Sequence, residues 1–546
     1  MASLSPSSEE TNPLLDSSDD ASPEDGENGE GTIGNEPPGV MVDEPTTAYL
    51  LASLSGVFIG AFVAAADASL IATLSTPISS SFGALSRLAW TASASFIANA
   101  AIQPVCGKLT NIYGRKRGLI LSNLLFATGN LMCAFAELEW HFVCGRLVAG
   151  VGAGATMAIA SFTLSDLVPL RRRGVWQGVA NSILGVGAAC GGVLGGLIND
   201  TLGWRAAFMV PIPVTLFAML LVFFTVRIPT VNPEYQCQLK RIDFLGAIML
   251  CTTLGLILLA LTSGGNFVPW THLLARTPIL LSVMSLLLFL FVETKYAVEP
   301  IMPFHLLWNR SIAGACFSNA FTCMSRYALL FYLPLFLQVQ GYNATEIGIR
   351  LIPGSIAVAV ASLTCGILIH WSGKYFRYGI LSQLINLMGL GLATTFTIFT
   401  PAWPPYVAFV LSNLAYGSML TVTLLAVLSS VEGQCRTVIT SILFVFRGTG
   451  TVLGIALSSL TFQHVLRFEL WGRIGGIEDA AEVITRIVND LKVIDDLDEE
   501  LQGQALGAYM SALRAVFLLL VGLGGLSFFA GLFIQDRELP SNVSRR

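Results

Sequence analysis

One carboxylate stands alone in a long uncharged stretch near the start of the chain. Asp67 is the single charged residue in the run from Pro45 to Ser86, and this run exceeds the roughly 20 residues that a helix needs to cross a bilayer. Because an ionisable group is costly in hydrocarbon, Asp67 is expected to face a wet cavity or a charged partner. It would bind a proton or a cation, or form an ion pair with Arg146 or Arg326.

Arginines within apolar stretches are further candidates for a functional role, and three of them are considered as pathway residues. Arg146 lies near the start of one such stretch, where it is either an interfacial anchor or a charge within the membrane. Arg326 and Arg447 lie deeper in later stretches. Arg326, together with Tyr327 and Tyr332, would bind a carboxylate or stack on a ligand.

Two neutral polar residues, Asn99 and Gln103, share the second apolar stretch. Amides at this spacing would supply hydrogen bonds to a ligand in a central cavity. The alternative is that they bond neighbouring helices, as polar side chains in membrane bundles commonly do. Both roles place these two side chains inside a helix bundle.

The composition indicates a polytopic membrane protein built from helices. Hydrophobic residues make up 54% of the chain and charged residues 12%, against about 25% in soluble domains. The ten cysteines show no CxxC spacing, which favours packing roles and predicts neither a metal site nor a cofactor. Basic residues concentrate in alternate loops, so they inform topology and do not indicate a nucleic-acid partner.

Hydropathy divides the chain into about fourteen apolar stretches, each a candidate transmembrane helix. Their approximate bounds are 48–78, 88–107, 118–137, 141–166, 175–198, 204–226, 243–263, 275–293, 311–339, 347–370, 378–400, 405–429, 437–464 and 508–534. The spacing predicts a six-helix half at 47–228, two linker helices at 229–310 and a second six-helix half at 311–535. Residues 465–506 are predicted to form an acidic loop outside the membrane, and 536–546 a short tail.

The positions of the basic loops predict the orientation of the chain. Arg115, Lys116 and Arg117 follow the second stretch, and further basic clusters recur in every other loop. The positive-inside bias therefore places these loops and both termini in the cytoplasm. The sequons at Asn199 and Asn343 would then face the opposite side, as glycosylation sites or as unmodified chance matches.

The first 46 residues are acidic and rich in Ser, Gly and Pro, a composition typical of disorder. Within them, Glu10, Leu14 and Leu15 fit the acidic dileucine pattern D/E-x-x-x-L-L/I, with a chance match as the alternative. Such a signal would recruit sorting adaptors and direct a membrane protein to a lysosome-like or vacuolar membrane. The chain holds no P-loop pattern, so direct use of ATP is not supported.

A motif in the loop after the second stretch resembles the signature of the major facilitator superfamily, G-x-L-x-D-x-x-G-R-K/R. Glycine allows the tight turn and the basic residues anchor the loop at the inner interface. The sequence departs from the family at Asn111, where the family has Asp, so a neutral hydrogen bond would replace a charge contact in this gating loop. The residues concerned are Gly107, Asn111, Gly114, Arg115, Lys116 and Arg117.

Two further motifs carry a partial resemblance. The fifth stretch is similar to the antiporter motif G-x-x-x-G-P-x-x-G-G at Gly187, Gly191, Gly195 and Gly196, with Gly192 in place of Pro. Glycines at this spacing would permit close helix packing, and a general packing face explains them nearly as well.

The fourth stretch resembles the family's R-x-x-Q-G motif, which is linked to proton coupling. Arg146 and Gly150 match it, and Ala149 stands in place of Gln. Asp67, in turn, sits in a partial match to the first-helix pattern of the fourteen-helix drug:proton antiporter branch.

The resemblance implies a transporter of the major facilitator fold, in the fourteen-helix branch and similar to fungal vacuolar basic amino acid transporters. Such a protein is not an enzyme and needs no cofactor. It would exchange protons for small cationic substrates across a lipid bilayer by alternating access, with Asp67 binding either one. The rival functions are a plasma-membrane exporter of drugs, toxins or siderophores, and a nutrient sensor on a transporter fold.

Overall fold

The computed structural model describes residues 47–82, 88–167, 170–226, 244–263, 273–296, 304–431, 436–476, 480–489 and 491–536. Within these ranges all regular structure is helical, which confirms the predicted all-α polytopic class. The dileucine residues Glu10, Leu14 and Leu15 lie outside the described residues.

The first part of the fold contains seven helices. Pro211 is the first residue of the seventh helix, and it interrupts the helix before it because proline has no amide hydrogen to donate. The predicted stretch at 204–226 is therefore broken into two helices. The seven helices are α1 (Thr47–Ser81), α2 (Leu88–Tyr113), α3 (Arg115–Ala134), α4 (Glu139–Leu167), α5 (Leu170–Leu202), α6 (Trp204–Ala207) and α7 (Pro211–Thr225).

The described residues after Val226 form ten helices and one 3-10 helix (Leu491–Asp496). The helices are α8 (Phe244–Ser263), α9 (Leu273–Lys295), α10 (Phe304–Leu307), α11 (Arg310–Val339), α12 (Ala344–Ser372), α13 (Phe376–Ala393), α14 (Trp403–Leu428), α15 (Arg436–Ile474), α16 (Ala480–Asn489) and α17 (Glu499–Gly531). By length and composition, ten of the described helices can cross a membrane. The count of fourteen stays a prediction.

The segment predicted as an acidic loop at 465–506 is largely helical. α15 continues to Ile474, and α16 buries Ile484, Ile487 and Val488 against the core between α15 and α17. The hydroxyl of Tyr509 donates to the Ile487 carbonyl over 2.8 Å. These apolar residues recur at helical spacing, so the segment folds as an amphipathic helix despite its acidic composition.

The long helices pack into two groups that meet along two seams. α1 packs on α5 and α7 and α2 on α4, while α11 packs on α15 and α17, and α13 on α14. One seam joins α5 to α12 and the other joins α2 to α15. α8 and α9 pack on each other, and α8 also contacts both α2 and α15.

The outer surface of the bundle is apolar, as a lipid environment requires. In α9, Leu280, Met284 and Leu287 are 69%, 61% and 60% exposed. Polar and charged side chains are instead buried between the helices, where they form the candidate site.

Candidate functional site

Asp67 of α1 and Arg146 of α4 form a two-pronged ion pair. Arg146 Nη1 donates to Asp67 Oδ1 over 2.9 Å, and Nη2 donates to Oδ2 over 2.8 Å. The relative exposure of the two residues is 3% for Asp67 and 0% for Arg146. Parallel hydrogen bonds of this kind are the strongest geometry available to an arginine–carboxylate pair. Arg146 is therefore not an interfacial anchor, and of the two partners predicted for Asp67 the structure selects Arg146.

Ser95 and Phe208 lie beside the pair, and the Cys133 thiol of α3 also interacts with Arg146. Ser95 of α2 accepts a hydrogen bond from Arg146 Nη2 over 3.0 Å. The guanidinium carbon of Arg146 lies 5.7 Å from the centre of the fully buried Phe208 ring. Side chains of four helices and an aromatic ring thus surround the two charges, which are buried.

A second charged group sits in the other half of the bundle, on α11. The guanidinium carbon of Arg326 lies 4.6 Å from the centre of the Tyr327 ring and 4.8 Å from that of Tyr416 on α14. Its Nε donates to Asn413 Oδ1 over 3.2 Å. Arg326 is thus held between aromatic faces, as a cation–π contact requires.

Tyr332 does not join Arg326, contrary to the prediction. Its ring packs on Phe462 of α15 with the centroids 5.5 Å apart, and the residue is 2% exposed. Tyr416 takes the predicted place beside Arg326 instead.

Arg447 of α15 is the third predicted arginine, and it lies in the same region. Its guanidinium carbon is 5.1 Å from the centre of the Phe444 ring. Its Nε is buried and has no hydrogen-bond partner in the part of the chain that the structure describes. α15 packs on α11 here, because Gly454 meets the backbone of Met324, two residues before Arg326.

The two charged groups are linked by neighbouring residues of α2. Ser95 contacts Arg146, and the next residue, Phe96, packs edge-on against Tyr327 with the centroids 5.1 Å apart. One turn of α2 therefore touches both the ion pair and the aromatic residues around Arg326.

The amides Asn99 and Gln103 bond to each other along α2. Gln103 Nε2 donates to Asn99 Oδ1, while Gln103 Oε1 is buried and has no partner among the described residues. Among the described residues, neither amide forms a hydrogen bond to another helix. One acceptor remains free for a ligand or water.

The gating loop turns sharply between α2 and α3. Gly114 has φ of 89°, a left-handed conformation that favours glycine. Arg115 is buried, donates to Thr110 Oγ1 and stacks on the Phe162 ring at 5.2 Å. The remaining motif residues surround this turn.

Gly107 of the same motif faces Phe162 and Ser441 of α15, so a side chain there would meet the other half of the bundle. Lys116 lies over the Phe223 ring at 4.7 Å, and Arg117 is exposed. Asn111 falls in α2.

The antiporter-motif glycines mark two close helix contacts. A Cβ on Gly187 or Gly191 would lie 2.4 or 2.0 Å from the carbonyl oxygen of Phe62 or Ala66 on α1, and one on Gly195 would meet Leu70. A Cβ on Gly196 would lie 2.5 Å from the Ala344 carbonyl oxygen of α12. Gly191 thus packs directly beside Asp67, on the residue that precedes it.

The two sequons lie at one end of the seam between α5 and α12. Asn199 is in the last turns of α5, and Asn343 caps α12 by accepting from the Glu346 amide over 2.8 Å. The Asp200 carboxylate accepts from the Thr345 amide over 3.0 Å, which joins the two helices there. Glycosylation of either asparagine stays a prediction.

Sequence reasoning missed Ser95, Phe96, Asn413 and Tyr416 as site residues. Asn413 and Tyr416 stand three residues apart in an apolar helix and so share one face, which was an available signal. No group of three metal-ligating side chains occurs among the described residues. An apolar cavity of about 460 Å³ lies elsewhere, between α2, α3 and α4, and neither the ion pair nor the two arginines line it.

Comparison with known proteins identifies the family. Residues 57–455 match the model of the Major Facilitator Superfamily. The chain is 31% identical over 497 residues to multidrug resistance protein fnx1 of Schizosaccharomyces pombe, covering 90% of this chain and 94% of that protein. It is 31% identical over 455 residues to vacuolar basic amino acid transporter 1 of Saccharomyces cerevisiae, covering 77% and 79%.

A solved structure shares the fold. The crystal structure of a bacterial homolog to the human lysosomal transporter Spinster, in an inward-facing and unoccupied conformation, matches with a TM-score of 0.62 at 15% identity. The match covers 90% of this chain and 98% of that one.

Proposed function

The chain belongs to the major facilitator superfamily, and on this premise we propose that it is a proton-coupled transporter of lysine, arginine and histidine across a vacuolar membrane. Family and relatives indicate a multi-pass transporter rather than an enzyme. The observation that carries the proposal is the buried, two-pronged pair of Asp67 and Arg146. A relative named as a vacuolar basic amino acid transporter supports the substrate and the membrane.

The pair provides a means of exchange because one carboxylate can serve three partners. A proton on Asp67 would neutralise it and leave Arg146 with neutral polar partners such as Ser95 and Cys133. A cationic substrate would instead displace Arg146 from the carboxylate. Since proton and substrate exclude each other, binding of one releases the other, which is sufficient for antiport.

Enclosure of the pair makes this exchange depend on a conformational change. Both residues are almost fully buried, so a proton or substrate reaches them when the helices around them separate. In alternating access the two halves rock about a central site. Such rocking would occur at the seams between α5 and α12 and between α2 and α15. The glycines that pack beside Asp67 lie on α5, which forms the first of these seams. Protons would then leave the acidic vacuolar lumen for the cytoplasm, and this flow would drive the substrate from the cytoplasm into the lumen.

The test is uptake of labelled arginine by vacuolar vesicles with and without a proton gradient. We expect Asp67→Asn to abolish the gradient-dependent uptake, because an amide neither binds a proton nor holds a cation. Glu482→Gln is the matched control, since Glu482 is exposed and pairs with Arg486 on α16. Unchanged uptake in Asp67→Asn would refute the role of this carboxylate.

A second variant guards against misfolding, because Asp67→Asn leaves Arg146 buried without a counter-charge. Asp67→Asn combined with Arg146→Gln removes both charges and keeps two groups that can hydrogen bond. We expect this double variant to reach the membrane at the level of the wild type and still to lack proton-driven uptake.

A second candidate function is efflux of drugs across the plasma membrane, favoured by the relative named as a multidrug resistance protein. Imaging of a tagged chain separates the two locations. The vacuolar proposal expects Leu14→Ala with Leu15→Ala to move the protein to the plasma membrane, whereas an exporter would already be there with both leucines intact.

A further inference from the structure

Arg326 and Arg447 lie well inside helices of the second half, and no acidic residue is near them in sequence. Between Ser311 and Phe468 the sequence contains two acidic residues, Glu346 and Glu432. Glu346 lies in the first turn of α12, and Glu432 follows the end of α14, whereas Arg326 and Arg447 lie well inside α11 and α15. Neither arginine forms an ion pair with a residue that the structure describes. These two charges therefore lack the compensation that Asp67 gives Arg146.

Contacts with neutral groups do not replace a counter-ion. Arg326 uses Nε for Asn413 and its flat faces for Tyr327 and Tyr416, and this leaves the two terminal nitrogens of its guanidinium fork for another partner. Arg447 has a buried Nε with no partner among the described residues. A buried charge is costly unless it is paired and hydrogen bonded. Neither side chain therefore has an anionic acceptor in the part of the chain that the structure describes.

The two arginines lie on helices that pack on each other. On α15, Gly450 and Gly454 follow Arg447 and pack on Ala320 and Met324 of α11, which precede Arg326. An anion held between these two helices beside Arg326 would also be attracted by the charge of Arg447. The planar fork of arginine suits a carboxylate, to which it can donate two parallel hydrogen bonds. Because a purely cationic ligand would be repelled here, the second half is suited to an anionic group.

We propose that Arg326 and Arg447 together bind the carboxylate of the transported substrate, beside Tyr416. This inference rests on the proposed function and refines it. Asp67 in the first half takes the cationic group of the substrate, and the two arginines in the second half take the carboxylate. Phe96 contacts Tyr327 and follows Ser95, so α2 lies between the two ends of the substrate. The site would thereby select molecules that carry both charges over simple cations.

The test uses competition against labelled arginine in vesicles that contain the full chain. The competitors are arginine, argininamide and agmatine, which share the guanidinium group, while the last two lack the carboxylate. For the wild type we expect argininamide and agmatine to compete at least about tenfold more weakly than arginine, since a site built to bind a group rejects analogues without it.

The variants test whether the two arginines cause this discrimination. In Arg326→Gln and Arg447→Gln, we expect arginine to bind about tenfold or more weakly, while inhibition by agmatine stays the same or strengthens. Arg473→Gln is the control on the same helix as Arg447, because Arg473 is exposed and pairs with Glu469. It should keep the preference of the wild type.

The outcomes distinguish the two proposals. If the wild type takes up arginine but agmatine competes equally well, the carboxylate site is refuted and transport of basic amino acids stands. If the wild type takes up no basic amino acid, the proposed function is refuted. The carboxylate site is then judged by thermal stability of the purified protein with amino acids and their decarboxylated amines. The carboxylate site would be supported if amino acids raised the melting temperature of the wild type more than their amines did, and if Arg447→Gln lost this difference. Equal shifts of the melting temperature by amino acids and amines would overturn it.

Discussion

The charged residues in the two halves of the bundle are arranged in opposite ways. In the first half, Arg146 donates hydrogen bonds to Asp67 and Ser95, and the Phe208 ring packs on its guanidinium group. In the second half, Arg326 and Arg447 are held by aromatic rings and an amide, without an acidic partner among the described residues. The first group carries its own counter-charge, although Arg146 Nε has no hydrogen-bond partner among the described residues, and it must be opened to act. On our proposal, the second group is completed when an anion binds.

This difference predicts that the two halves respond differently to loss of charge. Removing one partner of a buried ion pair costs about 3–5 kcal/mol, so Asp67→Asn should lower the thermal stability of the purified protein substantially. Arg146→Gln should cost less, because the remaining carboxylate can neutralise itself by binding a proton while an arginine cannot lose one. Arg326→Gln should have little effect or be stabilising, since it removes an uncompensated charge.

Thermal unfolding in detergent, followed for all three variants and for Asp67→Asn with Arg146→Gln, checks this order. The double variant should recover most of the loss, because both charges are absent. If Arg326→Gln proved as destabilising as Asp67→Asn, Arg326 would have an acidic partner and the comparison between the halves would fail.

The glycines of α5 predict a smaller effect that again concerns the first half. Gly191→Ala would place a Cβ 2.0 Å from the Ala66 carbonyl oxygen, next to Asp67. We expect the helices to move apart at a cost of about 1–3 kcal/mol, and transport to fall because the ion pair is displaced. The measurement is arginine uptake together with thermal stability.

Gly522→Ala on α17 is the control, since a Cβ there meets nothing within 4 Å. It should be neutral or slightly stabilising, as alanine favours helix more than glycine does. Normal uptake by Gly191→Ala would show that close approach of α5 to α1 is not needed for the cycle.

Much of this arrangement can be predicted from the sequence, and the errors have physical causes. Hydropathy located most of the helices, and the cost of a lone carboxylate predicted either a wet cavity or a charged partner for Asp67, of which the structure shows the partner. The choice between Arg146 and Arg326 depended on which helices pack together, which local sequence does not contain. The error at Tyr332 was avoidable. Six residues turn a helix by about 240°, so Tyr332 and Arg326 point to different sides of α11.

The missed residues show a different limit. Ser95 and Phe96 have ordinary side chains for a membrane helix, and they become site residues through contacts with α4 and α11. The prediction of an acidic loop at 465–506 rested on net charge. The helical spacing of Ile484, Ile487 and Val488, which are buried, instead predicts an amphipathic helix there. Composition indicates which segments are polar, and periodicity indicates how they fold.

The weakest predicted effect concerns the link between the two groups. Phe96→Leu keeps an apolar side chain on α2 but removes the edge-on contact with Tyr327, which is worth about 0.5–1.5 kcal/mol. We expect arginine to bind several-fold more weakly, and agmatine to be less affected, because the change reaches Arg326 through Tyr327 and leaves Asp67 and Arg146 in place. Phe399→Leu is the control, since Phe399 is 91% exposed. Equal loss of affinity for arginine and agmatine would mean that Phe96 supports the packing of the whole bundle. Phe96 would then not act on Arg326 independently of the Asp67–Arg146 pair.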